Sequence, residues 1–224
     1  MECVELKITQ AYLEWVRWLP EILLYYDVSY DRPEVLQHMH SLGIQFYCDS
    51  KKEIEDVLQV SPSIVFAHPV KIQQHIEYAC EQGVKTLVFD SISELYKIKQ
   101  AHPTAELLLH LRVQYTGVSK KFGAEMQNVP TLLMKAKTLN LNVIGFSFHV
   151  VGEDPYVYCE ALQLCSIACD IAMTLDVSIT TIDIGGIPWS TFEACAQQVR
   201  RGMQMFHDKI FIGEIGRYLV ESLQ

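Results

Sequence analysis

Several absences narrow the function of this chain before any motif is read. No uninterrupted run of roughly 18 apolar residues is present, the length that spans a bilayer, and Met1-Glu2-Cys3 opens no charged-then-apolar leader. The expectation is a soluble, cytoplasmic protein without a membrane partner. Positive charge is also scarce: 18 Lys and Arg stand against 27 Asp and Glu, and the formal net charge is −9. The basic residues are scattered, which speaks against the continuous basic face that nucleic-acid phosphates require. The seven cysteines include no CxxC pair. Cys165 and Cys169 lie four apart, on one helix face with Cys159 nearby, but no His or Cys pair completes a metal set. They read as reduced core residues, and no metal is expected. No Ser/Gly-rich linker, low-complexity run or charge block divides the chain, so residues 1–224 are expected to form a single domain.

What is present is an alternation. Half of the residues are hydrophobic, enough for one large core. Short apolar runs begin with strand one at about 21–30 and continue at Ile44–Cys48, Ile64–Ala67, Thr86–Phe89, Leu107–Val113, Val143–Phe148 and Ile179–Ile184. Strand eight falls at about 209–213. Between them lie helical patterns at Pro33–Leu42, Lys51–Leu58, Val70–Gln82, Ile92–Gln100, Val129–Leu139, Tyr156–Leu175 and Ser190–Met205, and another at Thr9–Trp18 precedes the first strand. Strands alternating with helices predict a parallel sheet covered by helices. Eight units in 224 residues fit a (β/α)₈ barrel, with a doubly wound open sheet as the alternative. The one long irregular connection, Arg112 to Asn128, contains Gly117, Lys120-Lys121 and Gly123 and is a candidate lid.

In a barrel, ligands bind where strands finish. Strand six ends in Phe146-Ser147-Phe148-His149-Val150-Val151-Gly152. Strand seven ends in Asp183-Ile184-Gly185-Gly186-Ile187, and strand eight in Gly213-Glu214-Ile215-Gly216-Arg217-Tyr218. Together they gather an imidazole, two carboxylates, a guanidinium and a Gly-rich turn at one mouth. Backbone N–H groups freed by glycines, with the N-terminal end of the helix at Ser190–Met205, would suit a phosphate. Each residue also has a plainer reading: His149 as a core histidine, Asp183 as a cap on the next turn, Glu214 and Arg217 as a structural ion pair.

These strand ends, with Phe66-Ala67-His68-Pro69-Val70-Lys71, Phe89-Asp90-Ser91, Ala101-His102-Pro103 and Lys121-Phe122-Gly123, resemble the eukaryotic ornithine decarboxylases and antizyme inhibitors, which are group IV pyridoxal-phosphate-dependent decarboxylases. The resemblance runs from about Trp18 to Val220. It implies an alanine-racemase-like (β/α)₈ TIM barrel with pyridoxal phosphate in its mouth. His149 would stack on the cofactor ring, and Glu214 would pair with the pyridinium nitrogen, keeping the ring an electron sink. Gly185, Gly186, Gly216 and Arg217 would cradle the phosphate, with Asp183 in the same run.

Other positions depart from the family pattern. Ser29 stands where the Schiff-base lysine belongs, and a hydroxyl forms no imine. Tyr47 replaces an acidic residue, although Glu53 is kept. His110 replaces an arginine, Gly152 a phosphate-binding serine, and Ile187 the third glycine of the cradle, where a β-branched side chain disfavours positive φ. The family's C-terminal β-domain has no counterpart before Gln224. The expectation is a pseudoenzyme that binds pyridoxal phosphate weakly and non-covalently, if at all. Its implied partners are antizyme, in polyamine regulation, and ornithine-decarboxylase-like subunits. The antizyme surface would include Lys71 and Lys97, with Glu77 reversing one of the family's charges. The alternatives are a residual ornithine decarboxylase that makes putrescine, and a relic without selected function.

Overall fold

A computed structural model describes residues 2–28, 32–113 and 122–215. Eight parallel strands close into a barrel in sequence order: β1 (Ile22–Asp27), β2 (Gln45–Cys48), β3 (Ile64–Phe66), β4 (Thr86–Phe89), β5 (Glu106–His110), β6 (Asn142–Ser147), β7 (Thr181–Gly186) and β8 (Ile210–Ile215). The closing pair is β1 on β8, with Tyr25 opposite Glu214. A closed ring of sequential strands answers the open-sheet alternative. Helices α2 (Pro33–Ser41), α3 (Lys51–Leu58), α4 (Gln73–Glu81), α5 (Ile92–Ala101), α6 (Val129–Thr138), α7 (Tyr156–Thr174) and α8 (Phe192–Met203) follow strands one to seven.

Period-two alternation along the strands sorts their side chains into two layers. Tyr25, Tyr47, Val65, Val88, Leu108 and Ile212 fill the barrel interior. Their neighbours Tyr26, Phe46, Phe66, Phe89, Leu107, Leu109 and Phe211 join the larger core between strands and helices. Because β7 and β8 follow the same alternation, Ile182 and Ile184 pack outward while Asp183 and Glu214 keep to the inward set.

Helix α1 (Glu2–Trp18) begins earlier than the expected Thr9. No Gly or Pro interrupts residues 2–18, and Ile8, Ala11 and Trp15 recur on one buried face. Trp15 anchors α1 against the barrel: its Nε1 donates to Ile22 O at 3.3 Å, and its ring meets Phe192 at 5.6 Å. A Cβ on Gly213 would come within 3.2 Å of that ring and 2.8 Å of Ile184 Cγ1, so β8 needs glycine there. Truncating Trp15 to Ala would cost on the order of 3–5 kcal/mol.

Other boundaries shift for local reasons. Helix α4 starts at Gln73 rather than Val70, because Lys71 is drawn inward by its own contacts. Strand β5 ends at His110. Leu111 then bridges to Ala124, while Arg112 Nε donates to Phe122 O at 3.2 Å and its Nη1 to Glu125 Oε1 at 2.9 Å. The described flanks of the candidate lid are therefore tied down; Gly117, Lys120 and Lys121 lie outside the described residues. Helix α7 reaches a mean hydropathy of 1.2 over an 18-residue window, enough by length and composition to cross a membrane. No uninterrupted apolar run signals it, because Glu160 and Asp170 interrupt the stretch. In the fold its face of Val157, Ala161, Leu162, Cys165, Ala168 and Ala172 is buried as a core helix.

Candidate active site at the barrel mouth

The C-terminal strand ends surround a cavity of about 350 Å³ that brings together His149, Asp183, Gly185 and Glu214. Glu214 is buried, and its Oε1 lies 3.5 Å from Nδ1 of the half-exposed His149. The core-histidine reading of His149 therefore fails. Asp183, also buried, accepts from Gly185 N at 2.9 Å, so the capping role is real. Burial pushes its carboxyl up to about 7, opposed by the Gly185 amide and by the nearby Tyr47 hydroxyl.

Gly185 has φ +63°, and a Cβ there would stand 2.5 Å from Phe148 O and 3.0 Å from His149 Nδ1. A Cβ on Gly186 would fall 2.7 Å from Glu214 Oε1. Both glycines are thus required by the close approach of His149 and Glu214. Gly186 O also accepts from the buried Tyr158 hydroxyl. Ile187 causes none of the expected backbone strain: it lies outside the left-handed region, its side chain is buried, and its N–H bonds Glu214 O at 3.4 Å. Gly152, by contrast, does take a positive φ, of 117°. The start of α8 faces away from the mouth and lines a separate open depression of about 710 Å³ beside α1, which shares no residue with the cavity. Ser29, Gly216 and Arg217 lie outside the described residues.

On the opposite wall, Tyr25 and Tyr47 stack at 4.8 Å. Burial, then the Asp183 charge, raises the Tyr25 hydroxyl to about 12, and burial raises that of Tyr47 well above its usual range. Both are neutral phenols. The Tyr47 hydroxyl is buried and makes no hydrogen bond of regular geometry. His110 bonds Ser147 Oγ at 3.0 Å and is lowered to about 4 by burial and by His149, so it stays uncharged where the resemblance expected a cation's place.

Asp27 and Asp49, which the strand-end reading passed over, also line the cavity. The signal was available, since Asp27 ends strand one and Asp49 directly follows strand two, just as Asp183 and Glu214 lie near the ends of strands seven and eight. Glu53 explains the position of Asp49: its Oε2 accepts from Asp49 N at 2.5 Å and Ser50 N at 3.2 Å, while Ser50 Oγ accepts from Glu53 N. This is a capping box, a structural role for the retained acid.

The expected partner surface changes most. Lys71 is buried, with Nζ donating to His68 O at 2.8 Å and to Val88 O, 4.0 Å from Glu94 Oε2 and 5.4 Å from the Phe66 ring. Desolvation lowers it to about 8. Lys97 reaches the surface only partly and pairs with Glu94. Glu77 alone is fully presented, accepting from Gln73 Nε2. A lysine beside a Pro-Val turn reads as solvated, and only the fold shows that it ties α4 and α5 to the barrel.

The model of the pyridoxal-dependent decarboxylase family, pyridoxal binding domain, matches residues 5–221. The chain belongs to this family. It is 35% identical to the ornithine decarboxylase of Schizosaccharomyces pombe over 95% of this chain and 53% of that protein. It is 34% identical to that of Rattus norvegicus over 96% and 51%. The chain spans about half the length of these curated relatives. Among solved structures, the Paramecium bursaria Chlorella virus arginine decarboxylase bound to agmatine superposes with a TM-score of 0.91 at 28% identity, over 96% of this chain and 63% of that one. The chain is an ornithine-decarboxylase-like barrel of a pyridoxal-phosphate-binding family.

Pyridoxal phosphate is the group the family implies, and the described residues fit it only at one end. Glu214 and His149 suit its ring. No lysine among the described residues lines the cavity to meet its aldehyde, and no lysine or arginine there meets its phosphate. Four carboxylates, Asp27, Asp49, Asp183 and Glu214, face that dianion instead. The described residues therefore do not fit a covalently held cofactor.

Proposed function

We propose that this chain is a non-catalytic, ornithine-decarboxylase-like barrel, acting as one unit over residues 1–224 in the cytoplasm through protein contacts in polyamine regulation. One observation carries the reading: the mouth keeps the ring-facing pair His149 and Glu214, while its described lining holds carboxylates and no lysine. Without an amine the cofactor is not held covalently, and the step that exchanges a substrate amine onto it has no starting point. Ser29 at the expected lysine position supports the same conclusion.

Antizyme is the partner the resemblance implies. With Lys71 buried, the surface offered to it centres on Lys97 and the exposed Glu77. Glu77 replaces a family lysine, and a reversed charge in an interface opposes binding. A pull-down with antizyme tests this: Glu77→Lys is expected to strengthen capture, and equal absence of capture by both proteins would overturn the partner.

The second reading, a residual pyridoxal phosphate decarboxylase making putrescine, is favoured by the intact His149–Glu214 pair. Absorbance during pyridoxal phosphate titration, followed by borohydride reduction and mass mapping, separates the two. No lysine adduct is expected; a stoichiometric adduct would establish the second reading.

A further inference from the structure

Helix α1 carries apolar residues on two opposite faces. Ile8, Ala11 and Trp15 bury one face against the barrel, while Leu6 and Leu13 stand on the other, each 59% exposed. Single exposed leucines are ordinary surface features. These two lie seven residues apart, two helical turns, and so form one ridge along the helix. Beside the ridge runs the open depression of about 710 Å³ between α1 and α8. Gln10 and Glu14 line it from α1, and Trp189, Phe192, Ala194 and Gln197 line it from the α8 side. Its floor is fixed, because Trp189 stacks on Phe192 at 5.2 Å and Phe192 meets the buried Trp15 ring at 5.6 Å.

A ridge and a depression side by side on one surface satisfy the requirement of a two-fold interface, in which each copy offers the feature the other receives. The charges follow the same symmetry. Lys7 and Glu14 also lie seven residues apart, on one flank of α1. When two α1 helices cross antiparallel about Gln10, Lys7 of each copy comes opposite Glu14 of the other; a parallel crossing would set like charges together. The Glu14 carboxylate is already ordered, since Trp18 Nε1 donates to its Oε1 at 2.8 Å and Arg17 Nη1 stands 3.8 Å from its Oε2. Less side-chain freedom is then lost on association. We propose that two copies of this chain associate through α1 and the depression beside it, about a two-fold axis near Gln10. Leu6 and Leu13 of each copy enter the depression of the other, and Lys7 pairs with Glu14 of the second copy. This surface shares no residue with the barrel mouth, so the association is independent of what the mouth holds.

Sedimentation velocity of the full chain over a concentration series tests this, with circular dichroism as the check on folding. A reversible monomer–dimer equilibrium is expected. Leu6→Glu/Leu13→Glu changes only exposed positions and should weaken the dimer about 10-fold or more. Lys7→Glu sets two carboxylates opposite each other and should weaken it several-fold. Adding Glu14→Lys to that variant reverses both charges and should recover most of the loss. Should the leucine variant lose helix, the charge pair alone decides the matter. A chain that stays monomeric throughout would overturn the proposal, leaving the ridge to a different partner. A dimer unmoved by the leucine variant would overturn it too, by placing the interface elsewhere. A double charge reversal no stronger than Lys7→Glu alone would refute the antiparallel two-fold arrangement.

Discussion

The two halves of the barrel mouth are built differently on the same architecture. On the β7–β8 side, Asp183 accepts from Gly185 N at 2.9 Å, Glu214 Oε1 lies 3.5 Å from His149 Nδ1, and a Cβ on Gly185 or Gly186 would clash with their neighbours. On the β1–β2 side, Asp27, Tyr47 and Asp49 face the cavity, and the expected lysine position is Ser29. The difference teaches that packing alone is enough to require the glycines of the β7–β8 side. Its glycines are fixed by packing, because any Cβ would meet His149, Phe148 or Glu214. On the other side Tyr47 belongs to the barrel interior and stacks on Tyr25, while Asp27 and Asp49 line the cavity at the strand ends.

That contrast is open to attack from both sides, beginning with the largest effect. Burial raises Asp183 from its ordinary value of 3.8 to about 7, so the folded state binds its proton more tightly than the unfolded chain. Its contribution is therefore most favourable below about 4 and is lost as pH rises through about 7, an amount on the order of 4 kcal/mol. Asp183→Asn retains an oxygen for the Gly185 amide and should flatten this slope in urea unfolding measured from pH 4 to 8. An unchanged slope would show that the buried carboxylate is not what the β7–β8 side carries.

Next in size is Gly185→Ala, which combines a positive φ with a clash against Phe148 O. It should lower stability by about 2–3 kcal/mol. Equal stability would mean that this glycine is retained for something other than packing. On the β1–β2 side the effects are smaller and of both signs. Glu53→Ala removes one arm of the capping box behind Asp49 and should cost about 1 kcal/mol. Tyr47→Phe removes the buried hydroxyl beside Asp183, which makes no hydrogen bond of regular geometry, and should raise stability by up to about 1 kcal/mol. A destabilised Tyr47→Phe would mean that its approach to Asp183 acts as a structural hydrogen bond.

Much of this organisation was legible in the sequence, for physical reasons that also mark where legibility stops. The eight short apolar runs stand out because parallel strands buried on both faces must be apolar, and the glycines and acids at strand ends six to eight break those runs conspicuously. The same strand-end logic applied to strands one and two would have brought out Asp27 and Asp49. Burial of Lys71 was not legible, since nothing local to Pro69-Val70-Lys71 records that two carbonyls and Glu94 wait on other elements. The backbone of Ile187 was likewise misjudged: the third cradle position was assumed to need a glycine conformation, whereas here the chain continues without positive φ and buries the side chain. The early start of α1 was missed because its first turn offers neither cap nor proline to mark it.

The most direct test of the central proposal, that this mouth holds no pyridoxal phosphate covalently, is borohydride trapping of pyridoxal phosphate on the wild-type chain beside Ser29→Lys. The account predicts no modified lysine in the wild type and an adduct on the introduced lysine, mapped by mass. A stoichiometric adduct on any native lysine of the wild-type protein would contradict it.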